Sequence, residues 1–387
     1  MQLLVLSSAA TQALLPPAEC ADAMRAALTA LARGDVYQPL RTVLKPERAA
    51  GLMGLMPVYL SGQDSAGGQD SAGGQDRASG QDRASGQDSA SGQDRAGGQD
   101  RASGQDRAYA AISQDSAYAL KAICIVPGNP ARGLDTHQGV VLLSSAHTGE
   151  PLALLNAAAV TEIRTAAVSA VATDLLARAD ATELAIIGTG VQARAHLRAI
   201  SCSRRLTEVR IAGRDAAQAS EFAAELVRQA DLTESALTGV QVTACGSAAE
   251  AVAGAGIVVT ATNSAQPVLR REWLAPGTHI NAVGACLPDQ RELDAETVAA
   301  AGFFADSRES VRGESGDFLL ALAEGAIGPD HIRAELGEVL IGTAPGRADD
   351  EEITVFESLG IAVEDLAAAA LAYRKAAESG AGAWLEF

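Results

Sequence analysis

Three cations and one glycine turn are the residues of this 387-residue chain whose types and spacing can do chemistry. Arg41 in QPLRTVL, Lys121 in YALKAIC and Arg164 in TEIRTAA each interrupt an apolar run. A lone cation of this kind is commonly a surface residue whose stem lies on the core. Three of them in one half of a chain suggest a carboxylate pocket, with Arg offering a two-pronged fork and Lys a point charge. The turn lies in ELAIIGTGVQARAHLRAIS, where a short apolar strand runs into G-x-G-x-x-A and then a helical pattern. Gly188 permits the tight turn, Gly190 lets backbone approach a pyrophosphate, and Ala193 is small enough for the helix to pack on the strand. The first N–H groups of that helix would face the phosphates.

The surrounding elements must place these groups. EVRIAGRD, residues 208 to 215, reads as a second strand ending where the adenosine ribose would lie. NAD-preferring sites commonly close this strand on an acid that accepts from the 2′-hydroxyl. Here it closes on Ala212 and Gly213, and Arg214 follows, which favours a 2′-phosphate and hence NADP(H), with NAD(H) the alternative. The competing reading makes Arg214 a solvated turn residue and Asp215 the cap of the next helix. Further strand patterns at 241–245, 256–262, 279–284 and 303–306 alternate with Ala-rich helical patterns, as a doubly wound parallel sheet requires. Ligands of such sheets bind at strand C-termini, so Thr260, Ala261, Val283 and Gly284 are expected to line the cofactor crevice.

Taken together, PLRTVL, the Lys before PGNP, HTGEPLALL, EIRTAAVSA, IGTGVQA, NAVGACLPDQRELD, ESGD, ELGEVL and ITVFESLGIAVEDLAAA resemble the ornithine cyclodeaminase and mu-crystallin family over nearly the whole chain. The resemblance implies an α/β protein of two parts. A Rossmann-type domain would occupy residues 166–349. An α+β substrate-binding and dimerisation domain would be built from 1–165 and 350–387. It implies that Arg41, Lys121 and Arg164 grip a substrate carboxylate. It further implies that Arg164, Thr165, Gln192, Arg214, Val283 and Ser358 contact the dinucleotide, with His137 of THQG another candidate. Arg164 is expected to open the Ala-rich helix that follows it, where helix dipole and guanidinium would favour an anion together. In cyclodeaminases an Asp stands at the position that aligns with Cys286. A thiol is neutral at pH 7 unless its pKa of about 8.5 is lowered, so it replaces a carboxylate poorly. Cys286 is either a modified catalytic position or a small apolar packing residue. The PDQREL form is closer to mu-crystallin-like ketimine reductases.

Residues 61–108 are eight copies of the hexapeptide xGQDxA. Ala is the only apolar residue in each copy, too little burial to offset an ordering cost of roughly 1–2 kcal/mol per residue. The repeat is therefore expected to be a disordered insertion in a surface loop between MPVYL and YALKAI. The roughly 340 residues outside it suffice for two domains. The net charge is −18 and no basic run is present, which argues against nucleic acid or an anionic membrane as partner. Five scattered cysteines without CxxC spacing suggest reduced thiols in a cytoplasmic protein and no metal site. No stretch is apolar for the length of a membrane span.

These features predict a homodimeric NAD(P)H-dependent reductase or dehydrogenase of a small 2-imino or 2-amino acid. Lys121 is expected to donate or relay the imine proton if burial lowers its pKa. Ornithine cyclodeaminase is the first alternative. A protein that binds the dinucleotide and a ligand without turnover is the second.

Overall fold

A computed structural model of the chain describes residues 2–62, 116–232 and 237–387. Residues 63–108 of the hexapeptide repeat lie outside the described residues. Two eight-stranded sheets organise the rest.

The first sheet runs β16-β1-β7-β6-β5-β4-β2, with β3 also pairing β4. Its strands are β1 (Gln2–Leu6), β2 (Val36–Tyr37), β3 (Thr42–Leu44), β4 (Leu52–Leu60), β5 (Ala117–Ile125), β6 (His137–Ser145), β7 (Pro151–Asn156) and β16 (Ala383–Glu386). Neighbours are antiparallel except β1 and β7. One face of β4 and β5 is buried by alternation: Gly54, Met56, Val58 and Leu60 on the first, Ala117, Ala119, Lys121 and Ile123 on the second. Lys121 thus takes an inward slot in an otherwise apolar row. Helices α1 (Ser8–Leu14) and α2 (Pro17–Arg33) follow β1. The first is capped by Ser7, and the second stops at Gly34 with φ of 85°.

Helix α3 (Ala157–Leu176) begins two turns before Arg164, with Asn156 capping it by accepting the Ala159 N–H at 2.9 Å. This corrects the expectation that Arg164 opens the helix. The dipole of its first turn does not reach that far, because the effect fades within one turn. Alanine, valine and serine bury the helix on nearly every side. Val160, Ala167 and Val171 join the core under the first sheet, while Ala166 and Ala170 join the core of the second.

All strands of the second sheet are parallel, in the order β10-β9-β8-β11-β12-β15-β13-β14. They are β8 (Glu183–Ile187), β9 (Glu208–Ala212), β10 (Gln241–Ala244), β11 (Ile257–Thr260), β12 (His279–Ala282), β13 (Gly302–Ala305), β14 (Ile332–Glu335) and β15 (Thr354–Glu357). Leu184, Ala185, Ile186, Ile257, Val258 and Val259 are fully buried, because helices cover both faces. Those helices include α4 (Val191–Ser203), α5 (Ala216–Leu232), α6 (Ala248–Val252), α7 (Ala295–Ala300), α8 (Arg308–Glu314), α9 (Gly316–Ala323) and α10 (Leu336–Leu340). The winding direction reverses between β8 and β11, which opens a crevice at their C-terminal ends. This is the expected Rossmann-type architecture. It extends past residue 349, however, since β15 sits between β12 and β13. The last helix, α11 (Ala362–Ser379), returns to the first core.

Candidate functional site

At the crevice, Gly188 has φ of 133°, and a Cβ on it would lie 2.5 Å from the Ala261 carbonyl oxygen. Only glycine fits there. A Cβ on Gly190 would meet nothing within 4 Å, so open space lies against the backbone where α4 begins. Gly190 offers that helix no side-chain cap, which leaves its first N–H groups directed outward. Ala193 is fully buried behind them. A backbone cradle, open space and an uncapped helix start together fit a dinucleotide pyrophosphate.

Around this turn, the Gln192 amide reaches the Thr161 carbonyl at 3.5 Å, bringing α4 against α3 one turn from buried Thr165. Arg214 is exposed just past β9, and no hydrogen bond or ion pair to it is formed among the described residues. Asp215 accepts the Ala217 and Gln218 N–H groups at 2.8 and 3.3 Å, so it does cap α5. Thr260 and Val283 are buried at the ends of β11 and β12, beside Ala261 and Gly284. Glu292 clamps the two loops that follow these strands. Its carboxylate accepts from Thr262 N–H at 2.6 Å and Gly284 N–H at 2.7 Å, and burial raises its pKa. Ser358 is buried and its N–H donates to the Ala282 carbonyl at 2.9 Å.

The three cations come together at the start of α11. Lys121 and Arg164 are 3% and 4% exposed. Lys121 Nζ and Arg164 Nε each lie 3.1 Å from Oδ1 of Asp365, and Arg164 Nη1 lies 2.8 Å from Glu364. Arg41 stands just before β3. It donates to the carbonyls of Leu359 and Gly360, both at 2.9 Å, and pairs with Glu314 at 2.9 Å. The Arg164 guanidinium packs so closely on Gly360 that a Cβ there would strike it, and φ of 76° independently favours glycine. His137 begins the strand next to that of Lys121, near enough for Lys121 and Arg164 to act on its imidazole. It therefore belongs beside the cations, on the first sheet.

Burial lowers the Lys121 pKa to about 8, with Asp365 opposing the shift and Arg164 adding to it. Burial pushes the Cys286 thiol up to about 11, against the pull of Arg41. The thiol is 3.5 Å from the Val283 carbonyl oxygen. Cys286 is thus within the site but neutral, as an apolar residue would be.

The carboxylates that hold the cations were not singled out from sequence. Glu314, Glu364 and Asp365 pair with them directly. Asp306, raised to about 6 by burial, accepts the Gly360 N–H. Their signal lay in ESGD and in the acid pair of AVEDLA, both of which also read as ordinary helix starts. Arg41 and Gly360 further border a cavity of about 290 Å³ whose walls include Leu31, Tyr37, Met56 and Ile361. Neither Lys121 nor Arg164 lines it, so it adjoins the cation cluster rather than forming the site itself.

The model of the ornithine cyclodeaminase/mu-crystallin family matches residues 99–380. The ketimine reductase mu-crystallin of Mus musculus is 35% identical over 93% of this chain and 91% of its own. Thermococcus litoralis Delta(1)-pyrroline-2-carboxylate reductase, solved with NADH and L-proline, superposes with a TM-score of 0.80 at 33% identity, covering 98% of this chain and 99% of that one. An archaeal alanine dehydrogenase dimer with bound NAD gives 0.80 at 28% identity, with both chains fully covered.

Proposed function

Because the chain belongs to the ornithine cyclodeaminase/mu-crystallin family, we propose that it is an NAD(P)H-dependent reductase of small 2-imino acids, able to run in reverse on the 2-amino acid. The observation that carries this reading is the convergence of Arg41, Lys121 and Arg164 at Gly360 and Asp365, in the segment that follows the C-terminal end of β15. Arg41 and Arg164 hold the substrate carboxylate, each through the guanidinium nitrogen that its protein partners leave open, Nη1 of Arg41 and Nη2 of Arg164. Lys121, already near neutrality, supplies the proton that the imine nitrogen gains. The dinucleotide, when bound, supplies the hydride that the α-carbon gains, so the C=N bond becomes CH–NH. Gly188, Gly190 and Ala193 seat its pyrophosphate; Thr165, Gln192, Thr260, Ala261, Val283, Gly284 and Ser358 line the rest of the crevice. NADP(H) is preferred, through Arg214 and the lack of an acid at the end of β9.

Cyclodeamination is disfavoured by Cys286, whose half-buried thiol, with its pKa raised, cannot act as a carboxylate base. We further propose a homodimer formed through the open face of the first sheet, where Leu44, Met53, Tyr118 and Val140 are exposed. Among the described residues no helix is long and apolar enough to cross a membrane. Incubating the protein with NADPH or NADH and a panel of cyclic ketimine carboxylates, or of 2-oxo acids with amines, tests the activity. Steady oxidation of the cofactor is expected. Release of proline and ammonia from ornithine without net cofactor change would restore the cyclodeaminase.

A further inference from the structure

Asp365 touches two of the three cations of the proposed site with one oxygen. Its Oδ1 lies 3.1 Å from Lys121 Nζ and 3.1 Å from Arg164 Nε, and its Oδ2 has no hydrogen-bond partner among the described residues. The residue is 1% exposed, so little water screens it. Resting on the reductase reading, we propose that Asp365 is a positioning residue that keeps Lys121 charged and in place beside Arg164.

The surroundings explain why one is needed. Lys121 projects from β5 between Met56 of β4 and Val141 of β6, both apolar and buried. Arg164 from α3 and Arg41 from the loop before β3 both repel an ammonium there. His137 from β6 offers no negative charge. From α11, Glu364 is spent on Arg164, leaving Asp365 as the carboxylate in contact with Lys121 among the described residues. Burial and two arginines would otherwise strip the proton from Lys121, and a neutral amine cannot protonate an imine. Sharing Oδ1 also ties the proton donor to one of the two carboxylate-gripping arginines, so that substrate and donor keep a common reference point. Lys121 is thereby a protonated acid near neutral pH, rather than a permanently charged anchor.

The test compares wild type with Asp365→Asn in two readouts. The first is the pH dependence of kcat/KM with NADPH and a cyclic ketimine carboxylate. The second is competitive acetylation of Lys121 by acetic anhydride, followed by peptide mass spectrometry, which requires no turnover. Loss of one opposite charge at contact should lower the Lys121 midpoint by about one to three pH units, moving the basic limb and the labelling curve together. NADPH affinity should be unchanged. A lower plateau with an unmoved labelling midpoint would show that Asp365 is merely structural and overturn the proposal. Should the Asn variant not fold, Asp365→Glu keeps the charge but shifts the oxygen. A smaller downward shift is expected, and a wild-type midpoint overturns the proposal equally. If wild type turns over no imine yet the labelling midpoint shifts, the reductase reading fails and the hold of Asp365 on Lys121 stands.

Discussion

Leu60 and Ala117 are direct partners at the end of one antiparallel ladder, although residues 61–116 run between them. The Gly62 N–H closes the pair further by donating to Ser116 Oγ at 2.9 Å. The eight hexapeptides are therefore inserted between two points that the sheet already joins. Deleting residues 63–108 leaves a connection of ten residues, 61–62 and 109–116, and loop-closure cost changes slowly with length. The shortened protein is expected to keep its melting temperature and kcat. Insoluble protein, or a large fall in kcat, would assign the repeat a structural task.

Cofactor choice is tested at Arg214. It is exposed at the mouth of the crevice, and Asp215 rather than Arg214 caps α5. Arg214→Ala should weaken NADPH by about 1.5–3 kcal/mol, the worth of a charge-assisted contact, and leave NADH nearly unchanged. Isothermal titration with each dinucleotide measures both. Equal losses would mean that Arg214 does not meet a 2′-phosphate.

Lysine in place of either arginine tests the carboxylate grip. Arg41→Lys loses the two-carbonyl contact to Leu359 and Gly360, and Arg164→Lys loses its fork onto Glu364 and Asp365. A misplaced point charge should raise KM and lower kcat, reducing kcat/KM by roughly one to two orders of magnitude. Cofactor affinity should fall far less. Wild-type kcat/KM in both variants for every accepted substrate would place the carboxylate elsewhere.

Asp317 makes a pH prediction whose sign is definite. Its Oδ1 accepts the Glu292 and Leu293 N–H groups, both at 2.8 Å, while Oδ2 is buried with no hydrogen-bond partner among the described residues. Burial first, and then the charge of Glu292, raise its pKa from 3.8 to about 8. Between those values the folded state holds a proton that the unfolded chain releases, so stability is full below about pH 4 and declines as pH rises towards 8. Asp317→Asn keeps the accepting oxygen and needs no proton. Urea unfolding should show the variant close to wild type at pH 5 and more stable than wild type at pH 8. A difference that does not grow with pH would mean that Asp317 is ionised in the folded protein.

Much of the frame was legible because it is local. The G-x-G-x-x-A turn, the β9 strand and the runs at β11 and β12 announce themselves by period and by glycine. Arg41, Lys121 and Arg164 stood out as charges in apolar context. Their partners did not, since whether Glu364 or Asp365 faces water or a buried guanidinium depends on where α11 lands, which no local pattern records. The start of α3 was misplaced for a related reason. NAAAVTEIR follows a strand without a glycine or proline break, and only the Asn156 cap marks the change. β15 was likewise hidden, because its place between β12 and β13 is a long-range choice.

Arg164 and Thr165 are successive residues of α3, a helix whose sides belong to both hydrophobic cores. No seam therefore separates the two halves along which they could swing like jaws: opening the cleft widely would unpack this helix from one core or the other. A ligand held between them is therefore expected to meet a socket of nearly fixed gauge, with entry and exit left to side chains and short loops at the rim.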